Sequence, residues 1–415
     1  MASEAWPDAD PRAARPVRIE RPRDVEGVVN AVRTAARDGL PVRPVGAGST
    51  ATGLTRTDGV VLDLTGLDRL RSVDPATGTA VVEAGMRLSR LWPLLWEQGL
   101  AVNGPGGLDH QTLGGAIATG EHGSGLQFGG LASRVRALEM VLADGSLARC
   151  SAGEHADLFQ AARVGLGAFG VVTAVTLGCD PARDIELSVI QLPRATFLDE
   201  ADDVVERYDH VEFDWRPGED EVLCTTAELT PGLAGPGTHR AGPGAGQGAR
   251  RGRLRTMPGR ALPGVRMLAD RGYRALGRRG RPRGRESEFA VPRACFPAMV
   301  EELHERTATA TPAGAALRVR FGAAEESWLA MGQGRETAYV CATVPSGRLA
   351  GPFLALLEAV AARYDGRPHW GRQHGLRAEV LRARYPRFDH PRAVRDRVDP
   401  LRLFGNPHLD RVLGA

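Results

Sequence analysis

Apolar positions along the first 180 or so residues switch between two spacings. In DVEGVVNAVRTAARDG (24–39) they recur every three or four residues, the mark of a helix with one buried face, and Gly39 closes it. Shorter apolar runs predict strands: PVRPV (41–45), GVVLDLTGL (59–67), and TAVVEAGM (79–86) after the turn DPATG. LSRLWPLLWEQGL (88–100) returns to helical spacing with Pro93 in its first turns, and Leu158 to Arg163 predicts a short helix. ALEMVLADGSLARCS (137–151) predicts a hairpin about Asp144-Gly145, and GVVTAVTLGC (170–179) a strong β run.

From residue 183 the texture changes. IELSVIQLP (185–193), HVEFDWRP (210–217) and EVLCTTAEL (221–229) predict strands, with a helix near 196–207. Between about 231 and 287, Gly, Pro and Arg dominate and leave little to bury. That stretch predicts a flexible insertion with a short helix near 262–276. Order returns with a helix over 296–310, strands over 315–324 and 338–345, and a helix over 351–366. The fold class is α+β. A first domain covers 1–182 and a second, on an antiparallel sheet, covers 183–365. A last segment, 366–415, returns to the first domain.

Charge narrows the partners. The 53 basic and 50 acidic groups of the 415 residues nearly cancel, at net +3, so nucleic acid is not an expected partner. The basic insertion reads as a solvated loop before an RNA contact, and its GAGQGARRG lacks the GK[ST] ending of a triphosphate loop. Five scattered cysteines without a CxxC pair suit a reducing compartment. MASEAWPDADPRAARP has no apolar signal core, and no run approaches the ~18 apolar residues of a spanning helix. The expectation is a cytoplasmic protein with no membrane span.

Three glycine-rich segments carry the chemistry. PVGAGSTATGL (44–54) follows a strand, GPGGLDHQTLGGAIATGEHGSG (104–125) holds eight glycines, and VGLGAFGVVTAV (164–175) adds a third. Such density lets backbone lie against a flat or anionic group, with Ser, Thr and His as donors between. No metal-ligand constellation and no GxSxG stands out, and His369 and His374 lack carboxylate or cysteine company.

In this order and spacing, the three segments resemble the FAD-binding (PCMH-type) domain of the vanillyl-alcohol-oxidase superfamily. HVEFDWRPGEDEVL, RVRFGAAEESWLA, RPHWGRQHG and DPLRLFGNPHLDRVLG resemble its sugar-1,4-lactone and alditol oxidase branch. The resemblance implies a pyrophosphate on the backbone of 46–50 and an isoalloxazine near 112–125 and HWGR (369–372). The cofactor residues it implies begin with Val45, Gly46, Ala47, Gly48, Ser49, Thr50, Gly53 and Leu54. They continue with Gly104, Asp109, Thr112, Leu113, Gly115, Ala116, Thr119, Gly120, His122, Gly123 and Ser124. Gly170, Val171, Val172 and Asn406 complete the set.

Three departures from the branch stand out. Its glycine turn ends Gly-x-Gly-His-Ser with a flavin-bonded histidine, whereas Ser49 stands here and implies noncovalent FAD. Its Glu-x-Arg strand motif reads Arg318-Val319-Arg320, and its lysine in the HWGK position is Arg372. Arginine only donates, so three arginines about a pocket suit an anionic group unless Arg318 faces outward or pairs with an acid such as Glu325 or Glu326. Arg320, Arg372, Arg318 and His122 are the catalytic candidates, with Arg318, Arg320, His369 and Arg372 facing substrate. The base is open among His122, His369, His374 and water.

The expected activity is hydride removal from a C–OH or C–N carbon of a small polar, anionic or sugar-derived substrate to FAD. Oxygen or an electron carrier would be the acceptor. Rival readings are a specialised-metabolite flavoenzyme performing dehydrogenation or cyclisation, and a non-catalytic FAD- or ligand-binding protein.

Overall fold

A computed structural model describes residues 15–104, 106–230, 266–271, 284–307 and 311–415. The N-terminal stretch MASEAWPDADPRAA and most of the expected insertion lie outside the described residues.

The described N-terminal half holds two larger sheets and a two-stranded antiparallel pair, Leu100–Ala101 with Asp180–Pro181. Arg18–Glu20, Val60–Asp63 and Val42–Val45 form a parallel three-stranded sheet with the Val60–Asp63 strand central. The helix Val25–Arg37 starts at Asp24, whose carboxylate accepts from the Gly27 N–H at 2.8 Å. Its apolar face (Val28, Val32, Ala35) packs on Val42, Val60 and Leu62, as the period predicts. The second sheet is antiparallel, in the order Leu70–Asp74, Thr79–Glu83, Val171–Gly178, Val135–Val141, Leu147–Ser151. The predicted hairpin about Asp144-Gly145 joins its last two strands.

The C-terminal half is built on an eight-stranded antiparallel sheet. Its order is Arg266–Arg271, Asp184–Pro193, Glu221–Leu229, His210–Trp215, Ala316–Gly322, Thr337–Val344, Arg285–Pro292, Arg367–Pro368. Two elements correct the sequence expectation. The segment expected as a helix near 262–276 contains the strand Arg266–Arg271, paired antiparallel along Asp184–Pro193. The expected insertion ends earlier than 287, because Arg285–Pro292 is an inner strand bonded to Thr337–Val344. Both are Arg-bearing segments in which an available sheet neighbour overrides weak local pattern. The sheet also runs past 365 to take in Arg367–Pro368.

Alternation gives this sheet two faces. Leu317, Val319 and Phe321 pack, with Phe213, against Phe197, Phe296 and the helix Phe296–Thr307, where Phe321 meets Phe296 edge-on at 5.0 Å. The other face carries Glu212, Asp214, Arg318, Arg320, Tyr339, Cys341, Glu286 and Glu288, and it lies against the glycine-rich segment of the N-terminal half. There the Gly125 N–H donates to the Phe321 carbonyl (2.7 Å) and the Ala323 N–H to that of Phe128 (3.0 Å). Among the described residues no helix is long and apolar enough to cross a membrane.

Candidate active site

A long cleft runs between the two halves, from the turn after Val42–Val45 to the HWGR segment. Val45, Gly46, Ala47, Gly48, Ser49 and Thr50 line one end, with Leu54, Thr112, Gly115, Thr119, Gly170 and Val172 along the walls. Two glycines show why the turn has its composition. A Cβ on Gly46 would lie 1.8 Å from Thr112 Oγ1, so the strand end and the helix start Leu113–Ala118 meet without room for a side chain. Gly48 has φ +59° with nothing within 4 Å of its missing Cβ, which leaves main chain bare toward the cleft. The turn is stapled across the cleft: the Ala51 N–H and the Thr50 hydroxyl both donate to the Gly371 carbonyl, at 2.9 and 3.1 Å.

Several implied cofactor residues stand behind the wall rather than along it. Leu113, Ala116 and Val171 are core residues. Asn406 donates to the carbonyls of Gly53, Leu54 and Arg56 and so holds the loop that carries Leu54. Gly53, Gly104, Asp109, Gly120, Gly123 and Ser124 also lie off the lining. Of these, Gly123 is pressed on Gly104, where a Cβ would meet its carbonyl at 2.7 Å.

His369 and Arg372 line the far end, and beside them is a buried charge cluster centred on Glu288. One Glu288 oxygen bonds His122 Nε2, and the other faces Arg372 Nε at 3.2 Å and an Arg320 Nη at 3.5 Å. Burial alone would push this carboxyl up, but Arg372, His122 and Arg320 hold it well below the usual carboxylate range. Arg320 also donates to the His122 carbonyl (2.9 Å), and the His122 ring stacks on Tyr339 at 3.6 Å. Arg372 Nη1 donates to Glu286 (2.7 Å) and meets Cys341 Sγ at 2.9 Å.

The three arginines therefore do not form an unopposed cationic pocket, because each faces carboxylates. Arg318 bonds Asp214 and faces Glu212, not Glu325 or Glu326, and it does not line the cleft. Glu286 and Glu288 were hidden to sequence reading because RESEFAVP follows the Arg-rich stretch without a break. The available signal was its alternation, which puts both acids on one strand face.

The histidines are constrained as well. His122 Nδ1 faces the Gly123 carbonyl and Nε2 faces Glu288, so both nitrogens point at acceptors. His369 Nδ1 accepts from the Gly371 N–H (3.0 Å). Burial, then Arg372, hold its basicity well below the ordinary imidazole value. Neither ring is set up as a general base.

The cradle of bare main chain, the staple to Gly371 and the polar far wall fit an extended dinucleotide with a flat head at the HWGR end. Comparison with known proteins agrees. Residues 16–151 match the FAD binding domain family and 253–412 the D-arabinono-1,4-lactone oxidase family. The chain is 33% identical to L-gulono-1,4-lactone dehydrogenase of Mycobacterium tuberculosis over 99% of this chain and 98% of that protein. It is 32% identical to alditol oxidase of a Streptomyces species over 86% of each. A cholesterol oxidase from Brevibacterium sterolicum (a His121Ala mutant) shares the fold, with TM-score 0.77 at 15% identity over 95% of this chain and 94% of that one. The chain thus belongs to the sugar-1,4-lactone and alditol oxidase branch of the vanillyl-alcohol-oxidase superfamily and is an FAD-dependent oxidoreductase of the CH–OH class.

Proposed function

We propose that this enzyme oxidises a CH–OH carbon of a neutral sugar-1,4-lactone or alditol, with FAD held noncovalently. The observation that carries the substrate class is the charge balance at the far end of the cleft. Arg320 and Arg372 are matched by Glu286 and Glu288, which leaves hydrogen-bonding groups without a surplus of positive charge for an anion. The relatives named for lactones and alditols point the same way. Ser49 on the cleft wall supports the noncovalent reading, because its hydroxyl cannot form a histidyl link.

The bound flavin supplies the hydride acceptor. The chain's own work is positioning. Val45–Thr50 would give main-chain donors to the pyrophosphate, His369 and Arg372 would bracket the reacting end, and Glu288 keeps Arg372 and Arg320 in place. Oxygen or a small electron carrier takes the electrons onward. Five unpaired cysteines suit a reducing cytoplasm.

Anaerobic mixing with L-gulono-1,4-lactone or a five-carbon alditol is expected to bleach the flavin absorbance near about 450 nm. Acid precipitation is expected to leave the flavin in the supernatant. No bleaching with any lactone or alditol overturns the substrate class, and yellow colour in the pellet overturns noncovalent binding.

A further inference from the structure

Among the described residues, two carboxylates line the cleft, Glu121 and Glu286. Glu121 is 1% exposed and takes a hydrogen bond from Gln111 Nε2 at 2.9 Å, so it is a packed wall group. Glu286 differs. It is half-buried, two residues before Glu288 on the same strand, and so shares its face. Glu288 is sealed by His122, Arg320 and Arg372. Among the described residues, the Glu286 side chain takes the Arg372 guanidinium (2.7 Å) and the Thr343 hydroxyl (2.9 Å) and no other donor. A carboxylate has about four acceptor sites, so roughly two remain. Gly284, also on the lining, puts no side chain beside it.

Resting on the proposed lactone or alditol substrate, we propose that Glu286 is the substrate-reading carboxylate of this enzyme. It accepts hydrogen bonds from the substrate hydroxyls and discriminates against the ring-opened aldonate anion. Position 318, two strands away on the same face of the sheet, carries an arginine that is tied to Asp214 and Glu212 and stays off the cleft. The acceptor function is therefore supplied from the strand Arg285–Pro292. A lactone that hydrolyses gains a carboxylate, which at this site meets Glu286 and finds Arg372 already neutralised by Glu286 and Glu288. In a partly dry cleft such like-charge contact is strongly unfavourable.

The test compares L-gulono-1,4-lactone with L-gulonate in the flavin-loaded wild type, Glu286→Gln and Glu286→Asp. Flavin reduction and calorimetric binding are both measured. In the wild type the lactone is expected to bind at least tenfold more tightly than the aldonate. Glu286→Gln should raise the lactone KM several-fold with a smaller fall in kcat, while the aldonate binds about tenfold tighter because Arg372 loses a counter-charge. That tenfold change corresponds to about 1.4 kcal/mol. Glu286→Asp should keep the lactone preference. An unchanged lactone-to-aldonate ratio in Glu286→Gln overturns the proposal, and so does a wild type that prefers the aldonate. Loss of flavin from both variants overturns it in favour of a purely structural role. A wild type that binds the lactone and is not reduced by it sinks the proposed activity instead. The binding ratio still decides the role of Glu286.

Discussion

At Gly46 one methyl group separates a cofactor cradle from a collision. The missing Cβ would sit 1.8 Å from Thr112 Oγ1 and 2.9 Å from its Cβ, on a side chain anchored at the start of Leu113–Ala118. Accommodating it requires the strand end or the helix start to move, and both line the cleft. Gly46→Ala is therefore expected to weaken FAD binding by tenfold or more, about 1.4 kcal/mol, measured as flavin released on dilution. At Gly48 the space is open and only the φ of +59° penalises a side chain, at about 1–2 kcal/mol. Gly48→Ala should then cost stability more evenly, without steric displacement of Thr112. If Gly46→Ala binds flavin like the wild type, the turn is less tightly packed on Thr112 than its geometry implies.

The strand His210–Trp215 shows how an element couples the two halves. Its first residue, His210, faces the Ser124 carbonyl through Nδ1 at 2.7 Å and stacks on Phe128 at 5.0 Å. Burial holds this imidazole below its ordinary range. The folded chain thus keeps His210 neutral while the unfolded chain takes up a proton below about pH 6.5. More protons on the unfolded state mean that stability is full above that value and is lost as pH falls below it. His369 acts with the same sign. Thermal unfolding should shift down between pH 7.5 and 5.5, and His210→Gln should flatten that slope. A slope unchanged in His210→Gln assigns the effect to other groups.

Strands with clear alternation, such as Glu221–Leu229 and Thr337–Val344, were legible because one face is helix-covered and apolar. Arg285–Pro292 was not, because its cleft-side acids follow a Gly/Pro/Arg run and only tertiary pairing makes them neighbours of Arg372. The glycine segments were legible for the opposite reason. Close main-chain approach leaves few alternative residues. The position of Arg318 is not legible in the sequence because period two fixes a face but not a position along it, and Asp214 takes this guanidinium before it reaches the cleft.

On the scale of the molecule, the cleft is closed by chain from three distant places, and Asn406 is the knot between two of them. Its Nδ2 donates to the carbonyls of Gly53 (3.1 Å), Leu54 (3.1 Å) and Arg56 (2.9 Å), and its Oδ1 caps Pro407–Leu413 by accepting from Leu409 N–H at 2.8 Å. Nearby, Arg43 donates to the Phe404 and Leu166 carbonyls, both at 2.7 Å, and burial draws its pKa down to about 9. The last residues of the chain thereby set the shape of the loop bearing Leu54 and Thr55 on the cleft wall. Asn406→Ala removes both the cap and the loop bonds, an expected loss of about 2–3 kcal/mol. Asn406→Asp separates the two, because a carboxylate still caps the helix but cannot donate to three carbonyls and repels them instead. If the loop bonds matter for the cofactor, Asn406→Asp should release flavin as readily as Asn406→Ala, read by fluorescence of the freed flavin during a thermal ramp. Flavin retention in Asn406→Asp at the wild-type level would assign Asn406 to helix capping alone and leave the loop to be held by its own turn.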